Sequence, residues 1–418
     1  MAALELSKTR LAGIGRKLNA VKHILPADIS VPGPLAGMPC IAKDMIATGT
    51  VEPSWGCAEP MAAALPRALV IDRMVMAGAC LIGTSVMTEL AYEPSGFVHG
   101  GAVNPWHPDI IPGGSSSGSA ILVASGCCFA ALGSDTGGSV RIPAHCCGVT
   151  GLKPSYGSLP VDGTMPLAPS LDTIGIIARS AADLVLVWPS LSGDRAGSVA
   201  DHLSGTVMTD AFGVSDPQIS GICRNAIGVL AETGMSIDAR PGFPEQADQN
   251  ALLVLQAEAG RQHRERMDDP RIDATLRKRL RKGLTISDES LGLALDARGA
   301  LRDGFLSTYL GKASVALLPV MPIRTPGIGE VDTSSATFNP RTLYALSRFT
   351  RFVNYLGLPA LAVPAGFDDR GMPVGLQMVG RPGSDALLLE VGGRLQARTK
   401  WHGRVPASII SEIAAEKG

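Results

Sequence analysis

The 418 residues are 45% hydrophobic and 18% charged, which supplies a large apolar core and excludes a generally disordered chain. The formal net charge is -1, and without a basic excess no nucleic-acid partner is expected. The longest apolar run, around Ala120 to Leu132, is interrupted by Ser125 and Gly126 and is too short to span a bilayer.

The opening stretch, MAALELSKTR, has no apolar region of the secretory type, so a cytoplasmic protein with no membrane partner is expected. Residues 35–48 read as a short apolar strand after a glycine turn, with Lys43 near its end. Residues 67–90 read as an amphipathic helix, a stop at Gly78 and a buried strand. This αβ unit suggests a largely parallel sheet covered by helices. A Gly/Ser loop at 112–118 runs directly into a buried helix from about Gly118 to Ser125. A strand ending in GSD follows, then a second Gly/Ser turn, GSDTGGSVRIP, and another short helix. Residues 170–193 carry a strand and an apolar helix. Residues 193–245 are more polar and glycine-rich and read as a peripheral segment. Residues 246–312 read as mostly helical, and the basic cluster at 271–283 reads as a solvated helix face. A strand at 313–323, two strands around a turn at 358–380 and a helix from Ser384 complete the pattern. There is no internal repeat, and residues 1–418 are expected to form a single domain.

The Gly/Ser loop has three candidate uses. As a phosphate cradle it fails: Gly113 and Gly118 have Walker spacing, but Ser119 and Ala120 follow where a lysine is required, and no G-x-G-x-x-G is present. As a linker it fails too, since flexible linkers do not run straight into apolar helices. Presentation of a hydroxyl remains. Ser115 and Ser139 lie 24 residues apart, enough for a helix and a returning strand to bring both to one edge of a sheet. The glycines before Ser139 expose backbone N–H groups that could hold a developing oxyanion.

A serine nucleophile needs a base. His145, with Asp135 as third member, is one candidate, although the spacing matches no known triad and no G-x-S-x-G elbow is present. Lys43, among Ile41, Ala42, Met45 and Ile46, is the other: desolvation would make it a usable base, and the alternative is a lysine snorkelling from a strand end. The eight cysteines include two adjacent pairs and no C-x-x-C. They read as reduced, buried small hydrophobes, with neither a disulfide framework nor a zinc site. No metal and no cofactor is expected.

Four stretches together resemble the amidase signature family: GPLAGMPCIAKD, NPWHPDIIPGGSSSGSA, ALGSDTGGSVRIPAHCCGVTGLKPSYG and GLPALAVPAGFDDRGMPVGLQMVGRP. The resemblance is dense over residues 33–190 and thinner over 310–400. It implies an α/β fold with a single large mixed β-sheet core flanked by α-helices on both faces. It implies Lys43 as general base, Ser115 as a bridging serine after a cis Gly114–Ser115 bond, and Ser139 as nucleophile. The backbone N–H groups of Thr136, Gly137, Gly138 and Ser139 would form the oxyanion hole. Asp135 and Arg141 would brace that loop, and Ser116 either contacts Lys43 or is structural. The implied reaction is hydrolysis of a small-molecule amide through an acyl-enzyme, with a homodimer allowed. Two alternatives stay open: the glutaminase component of a tRNA-dependent amidotransferase, and a non-catalytic binding protein on the same fold. Leu90, Tyr92 and Phe97 are candidate acyl-pocket residues, and Arg324 a candidate partner for an acidic group. Only 42 residues precede Lys43, so residues 1–32 read as a shortened N-terminal region.

Overall fold

The computed structural model describes residues 2–26, 31–61, 65–96, 101–194 and 202–415. Its strands are β1 (Val21–Ile24), β2 (Pro39–Lys43), β3 (Cys80–Ser85), β4 (Ala130–Ser134), β5 (Thr150–Lys153), β6 (Ile174–Ala178), β7 (Ser204–Met208), β8 (Ser236–Arg240), β9 (Val315–Pro319), β10 (Ala360–Phe367) and β11 (Pro373–Val379). They form one 11-stranded sheet in the order β1-β3-β2-β4-β6-β5-β10-β11-β9-β7-β8.

Strand residues alternate between two apolar clusters. Cys40, Ala42, Ala130, Leu132, Ile176 and Ala178 belong to one, while Ile41, Ala131 and Ile177 belong to the other. Successive side chains of a strand point to opposite faces, so both faces of the sheet are buried. Helices Leu69–Met76, Ala181–Ser192, Pro217–Glu232 and Glu245–Gln262 cover the first face. The second is covered by Ser117–Ala124, all eight residues of which are buried, and by Arg141–Cys147. Among the described residues no helix is long and apolar enough to cross a membrane.

The sheet is mixed rather than largely parallel. β3, β2 and β4 run parallel at one flank, and β9, β7 and β8 at the other. The centre, from β4 through β6, β5, β10 and β11 to β9, is antiparallel. The helical crossover that implies a parallel neighbour is present at Leu69–Met76 and at Ser117–Ala124. The centre is instead built from direct reversals such as the β10–β11 hairpin, whose turn at Asp368–Gly371 the sequence does show. Residues 202–245 contribute β7 and β8, the outermost strands beside β9.

This topology positions the loops of interest. Lys43 ends β2 and Ser134 ends β4, and these strands are parallel neighbours with Ala42 beside Leu132. Both residues therefore emerge at the carboxyl edge of a parallel pair, where crevices form in open α/β sheets. Ala42 faces the first cluster, so Lys43 turns to the opposite face, toward the helix Ser117–Ala124 and the loop that precedes it.

Candidate active site

Lys43 is fully buried. Its Nζ lies 2.7 Å from Ser115 Oγ and 2.7 Å from Ser134 Oγ. Burial draws its pKa down to about 7, against an upward pull from Asp135 and Asp172. The strand-end snorkelling geometry is thus absent: the amine points inward and meets two hydroxyls. The Gly114–Ser115 peptide bond is cis, as the family resemblance implied.

Ser134 was not anticipated from the sequence. Its O–H donates to Met45 Sδ at 3.0 Å, which leaves its oxygen to accept from Lys43. The available signal was positional, a hydroxyl at the end of the strand beside β2. Ser116 does not take that place. Its Oγ donates to Ser134 O and accepts from Ser134 N, at 3.2 and 3.3 Å, so it clamps the end of β4.

The loop after β4 brings Ser139 to the same place. Ser116 N donates to Ser139 O at 3.2 Å and ties the two Gly/Ser loops together. Ser139 is 8% exposed, whereas Ser115 is fully buried; Ser139 faces a cavity and Ser115 stands behind the surface. Asp135 organises the loop. Its carboxylate accepts from Gly138 N, Val140 N, Arg141 Nε, Arg141 Nη2 and Asn354 Nδ2. Burial would raise its pKa, but the Arg141 guanidinium and the other donors outweigh burial and hold it at about 2. Arg141 also donates to Thr350 O and Gln377 Oε1, so the late part of the chain braces the early loop.

Gly138 adopts φ 131°, and a Cβ there would lie 2.2 Å from Thr350 Oγ1. Only glycine fits this combination of conformation and approach. Its N–H is spent on Asp135 Oδ1 at 2.8 Å, which removes Gly138 from the expected set of oxyanion donors. The reason is geometric: the carboxylate that shapes the turn needs that N–H. Among the described residues, the N–H groups of Thr136, Gly137 and Ser139 meet no protein acceptor, and the three residues line the cavity.

The cavity measures about 310 Å³. Tyr92 lines it. Leu90 does not: it is fully buried in the apolar cluster on the first face, with its backbone tied to Trp55 O. It packs in the core and does not line the cavity. Phe97 lies outside the described residues. Arg324 is held by Asp368 and Asp369 and lies outside the lining. The basic cluster also departs from expectation. In helix Ala274–Gly283, Leu276 and Leu280 are buried, and Arg279 and Lys282 line the cavity, so this face is not merely solvated.

His145 takes no part in the site. Its Nδ1 accepts from Gly375 N at 2.9 Å, and burial lowers its pKa to about 4. With Asp135 committed to Arg141, the Ser–His–Asp arrangement is not assembled. All eight cysteines are buried and free, and burial pushes the Cys40 thiol up to about 12. Among the described residues no group of three or more His, Cys, Asp or Glu side chains could hold a metal ion.

The family model for Amidase matches residues 22–389. The A subunit of the glutamyl-tRNA(Gln) amidotransferase from Alkalilimnicola ehrlichii is 33% identical, the match covering 90% of this chain and 86% of that one. Among solved structures, an amidase superimposes with a TM-score of 0.86 at 30% identity, covering 95% of each chain. The corresponding amidotransferase protein of Thermotoga maritima gives 0.77 at 25% identity, covering 97% of this chain and 96% of that one.

Proposed function

This chain belongs to the amidase family and is an amide-hydrolysing enzyme, and from that premise we propose that Ser139 is its nucleophile, Lys43 its base and Ser115 the relay between them. The observation that carries this reading is the buried Lys43 amine, 2.7 Å from Ser115 Oγ and with its pKa drawn down to about 7. A lysine in water is almost wholly protonated at neutral pH; with a pKa of about 7, a large share of this amine is neutral there.

In the proposed reaction neutral Lys43 accepts the Ser115 proton as Ser115 accepts that of Ser139. Ser139 Oγ forms a bond to the amide carbon, and the carbonyl oxygen becomes an oxyanion. The N–H groups of Thr136, Gly137 and Ser139 receive that charge; one such donor is worth about 2.7–4 kcal/mol of barrier. The proton on Lys43 returns through Ser115 to the leaving nitrogen, the C–N bond breaks, and ammonia or an amine departs. Water then loses a proton along the same relay, attacks the acyl-enzyme carbon and releases the carboxylic acid with Ser139 restored. The chain is read as one catalytic domain acting on a small-molecule amide. Its eight free cysteines support a cytoplasmic setting.

Ser139→Ala tests the reading. Ammonia release from an amide panel should vanish while the circular dichroism spectrum is retained. Activity near that of the wild type would remove Ser139 from the nucleophile's place.

A second reading has support in the relatives. The similarity to the A subunits of glutamyl-tRNA(Gln) amidotransferases favours a glutaminase that works with protein partners. Gel filtration of the protein from its native cells, with a glutaminase assay on each fraction, separates the two: an independent amidase is active alone, and an amidotransferase component co-elutes with its partners.

A further inference from the structure

The cavity in front of Ser139 has an uneven charge. Its lining includes Arg279, Lys282 and Arg351 but no Asp or Glu. Arg351 is neutralised, because Asp248 holds its guanidinium at 2.7 and 2.8 Å. The side chains of Arg279 and Lys282 make neither a hydrogen bond nor an ion pair among the described residues. Both come from one helix, Ala274–Gly283. Thr275, Arg279 and Lys282 follow one another at four and three residues, and all three line the cavity. They form a stripe along the helix, and Leu276, Leu280 and Gly283 form the buried stripe beside it.

The placement of this helix is rigid. A Cβ on Gly283 would lie 2.0 Å from Gln256 O, and one on Gly260 would lie 2.7 Å from Leu280 O. The helix thus meets Glu245–Gln262 backbone against backbone, and that second helix supplies Leu252, Leu255 and Gln256 to the cavity wall. The cations are held on the same pair of packed helices as the apolar wall. Lys282 also lies in the last turn, where a cation is favoured by the helix dipole. Arg279, in mid-helix and half-buried, also lines the neighbouring cavity, where its charge acts on the Glu93 carboxyl without a direct bond.

We propose that the substrate carries a carboxylate at the end remote from the scissile amide, which Arg279 binds with help from Lys282; the fitting class is the monoamides of aliphatic dicarboxylic acids. This rests on the amidase reading above. The apolar wall takes the methylene chain, and the cation stripe takes the terminal anion as a charge-assisted hydrogen bond. A free amino acid amide such as glutamine fits less well. Its ammonium would enter a cavity without a carboxylate. The neighbouring cavity, which Arg279 also lines, contains Glu89, Glu93, Asp273 and Asp332; protein donors reach all four, although one Glu93 oxygen keeps no partner among the described residues. Glu89 accepts from Asp273 N, Asp273 caps the cationic helix, Glu93 accepts from Ser95, and Asp332 accepts from Ser334.

The test is kcat/KM for succinamate, glutaramate and adipamate against butanamide, pentanamide and hexanamide, with glutamine beside glutaramate. It is run on the wild type and on Arg279→Gln, Lys282→Gln, Arg279→Lys and Ser139→Ala. The best acid amide should exceed its neutral match by about tenfold or more, the range expected for one ionic hydrogen bond. Arg279→Gln should lower that ratio about tenfold, Lys282→Gln should lower it less, and Arg279→Lys should restore part of it. Glutaramate should be preferred to glutamine. Neutral amides cleaved as well as acidic ones would overturn the carboxylate preference, and glutamine ahead of glutaramate would overturn the assignment to dicarboxylic monoamides; with Ser139→Ala inactive, either result leaves the amidase reading standing. A Ser139→Ala enzyme as active as the wild type would overturn the amidase reading itself. Lys282 is exposed, so its variant reads the ratio even if Arg279→Gln proves unstable.

Discussion

Lys43 Nζ and Ser134 Oγ stand 2.7 Å apart at the ends of two parallel strands. Ser134 donates its own O–H to Met45 Sδ, so its oxygen can accept an N–H of the amine. That contact turns the lone pair of a neutral Lys43 toward Ser115. Ser134→Ala should lower kcat by about tenfold, a modest part of a general-base contribution, with KM little changed. A steady-state comparison at the pH optimum decides it. A fall in KM alone, or no change in kcat, would mean that the amine is oriented without Ser134.

His145 tests the rival base. Its Nδ1 accepts a backbone N–H from β11. Removing it leaves Gly375 N–H buried and unpaired, a cost of about 1–3 kcal/mol. His145→Ala should melt at a lower temperature and keep kcat/KM within about threefold. A loss of several orders of magnitude in a folded variant would bring back a Ser–His site.

Gly138 tests the loop. Alanine there meets Thr350 Oγ1 and must hold φ 131°. The loop would shift and move the N–H groups of Thr136, Gly137 and Ser139 off the oxyanion. Gly138→Ala should cost about a hundredfold or more in kcat with less effect on KM. A near-normal kcat would show that the donors lie elsewhere.

The buried amine also affects stability. Its pKa is about 7 in the folded protein and near 10.5 when unfolded. Between those values the folded state binds fewer protons than the unfolded state, so stability rises with pH. Near pH 7 the amine costs roughly a few kcal/mol relative to higher pH. Lys43→Met lacks this dependence. The melting temperature of the variant minus that of the wild type should be largest near pH 7 and shrink toward pH 10. Lys153, whose pKa burial also lowers to about 7, is present in both and cancels. A difference that does not vary with pH would mean that Lys43 is not desolvated in the folded protein.

What the sequence revealed divides along physical lines. Elements with strong apolar patterning were legible: β2 with Lys43 at its end, the helix after the Gly/Ser loop, and the β10–β11 pair. The spacing of Ser115 and Ser139 was legible because one helix and one strand fill it. β7 and β8 were not, since β8 carries exposed polar side chains that resemble a loop. The antiparallel centre was hidden because strand pairing is nonlocal. Ser134 escaped because its contact with Lys43 depends on β2 and β4 being neighbours. The commitment of Gly138 N–H to Asp135 depends on the turn geometry. Leu90 and Tyr92 are two residues apart, and the backbone turn at Leu90 and Ala91, φ 49° and 57°, sends one to the core and the other to the cavity.

The most direct test of the Ser139–Ser115–Lys43 relay is the rate of covalent labelling by a fluorophosphonate, measured against pH and mapped by peptide mass, in the wild type and in Lys43→Arg. The expected result is a single adduct on Ser139 that forms faster as pH rises through an apparent pKa near 7, with labelling slowed by about a thousandfold in Lys43→Arg, because a guanidinium stays protonated and cannot serve as a base. An adduct on another residue, or a Lys43→Arg protein labelled at the wild-type rate with the same pH limb, would contradict it.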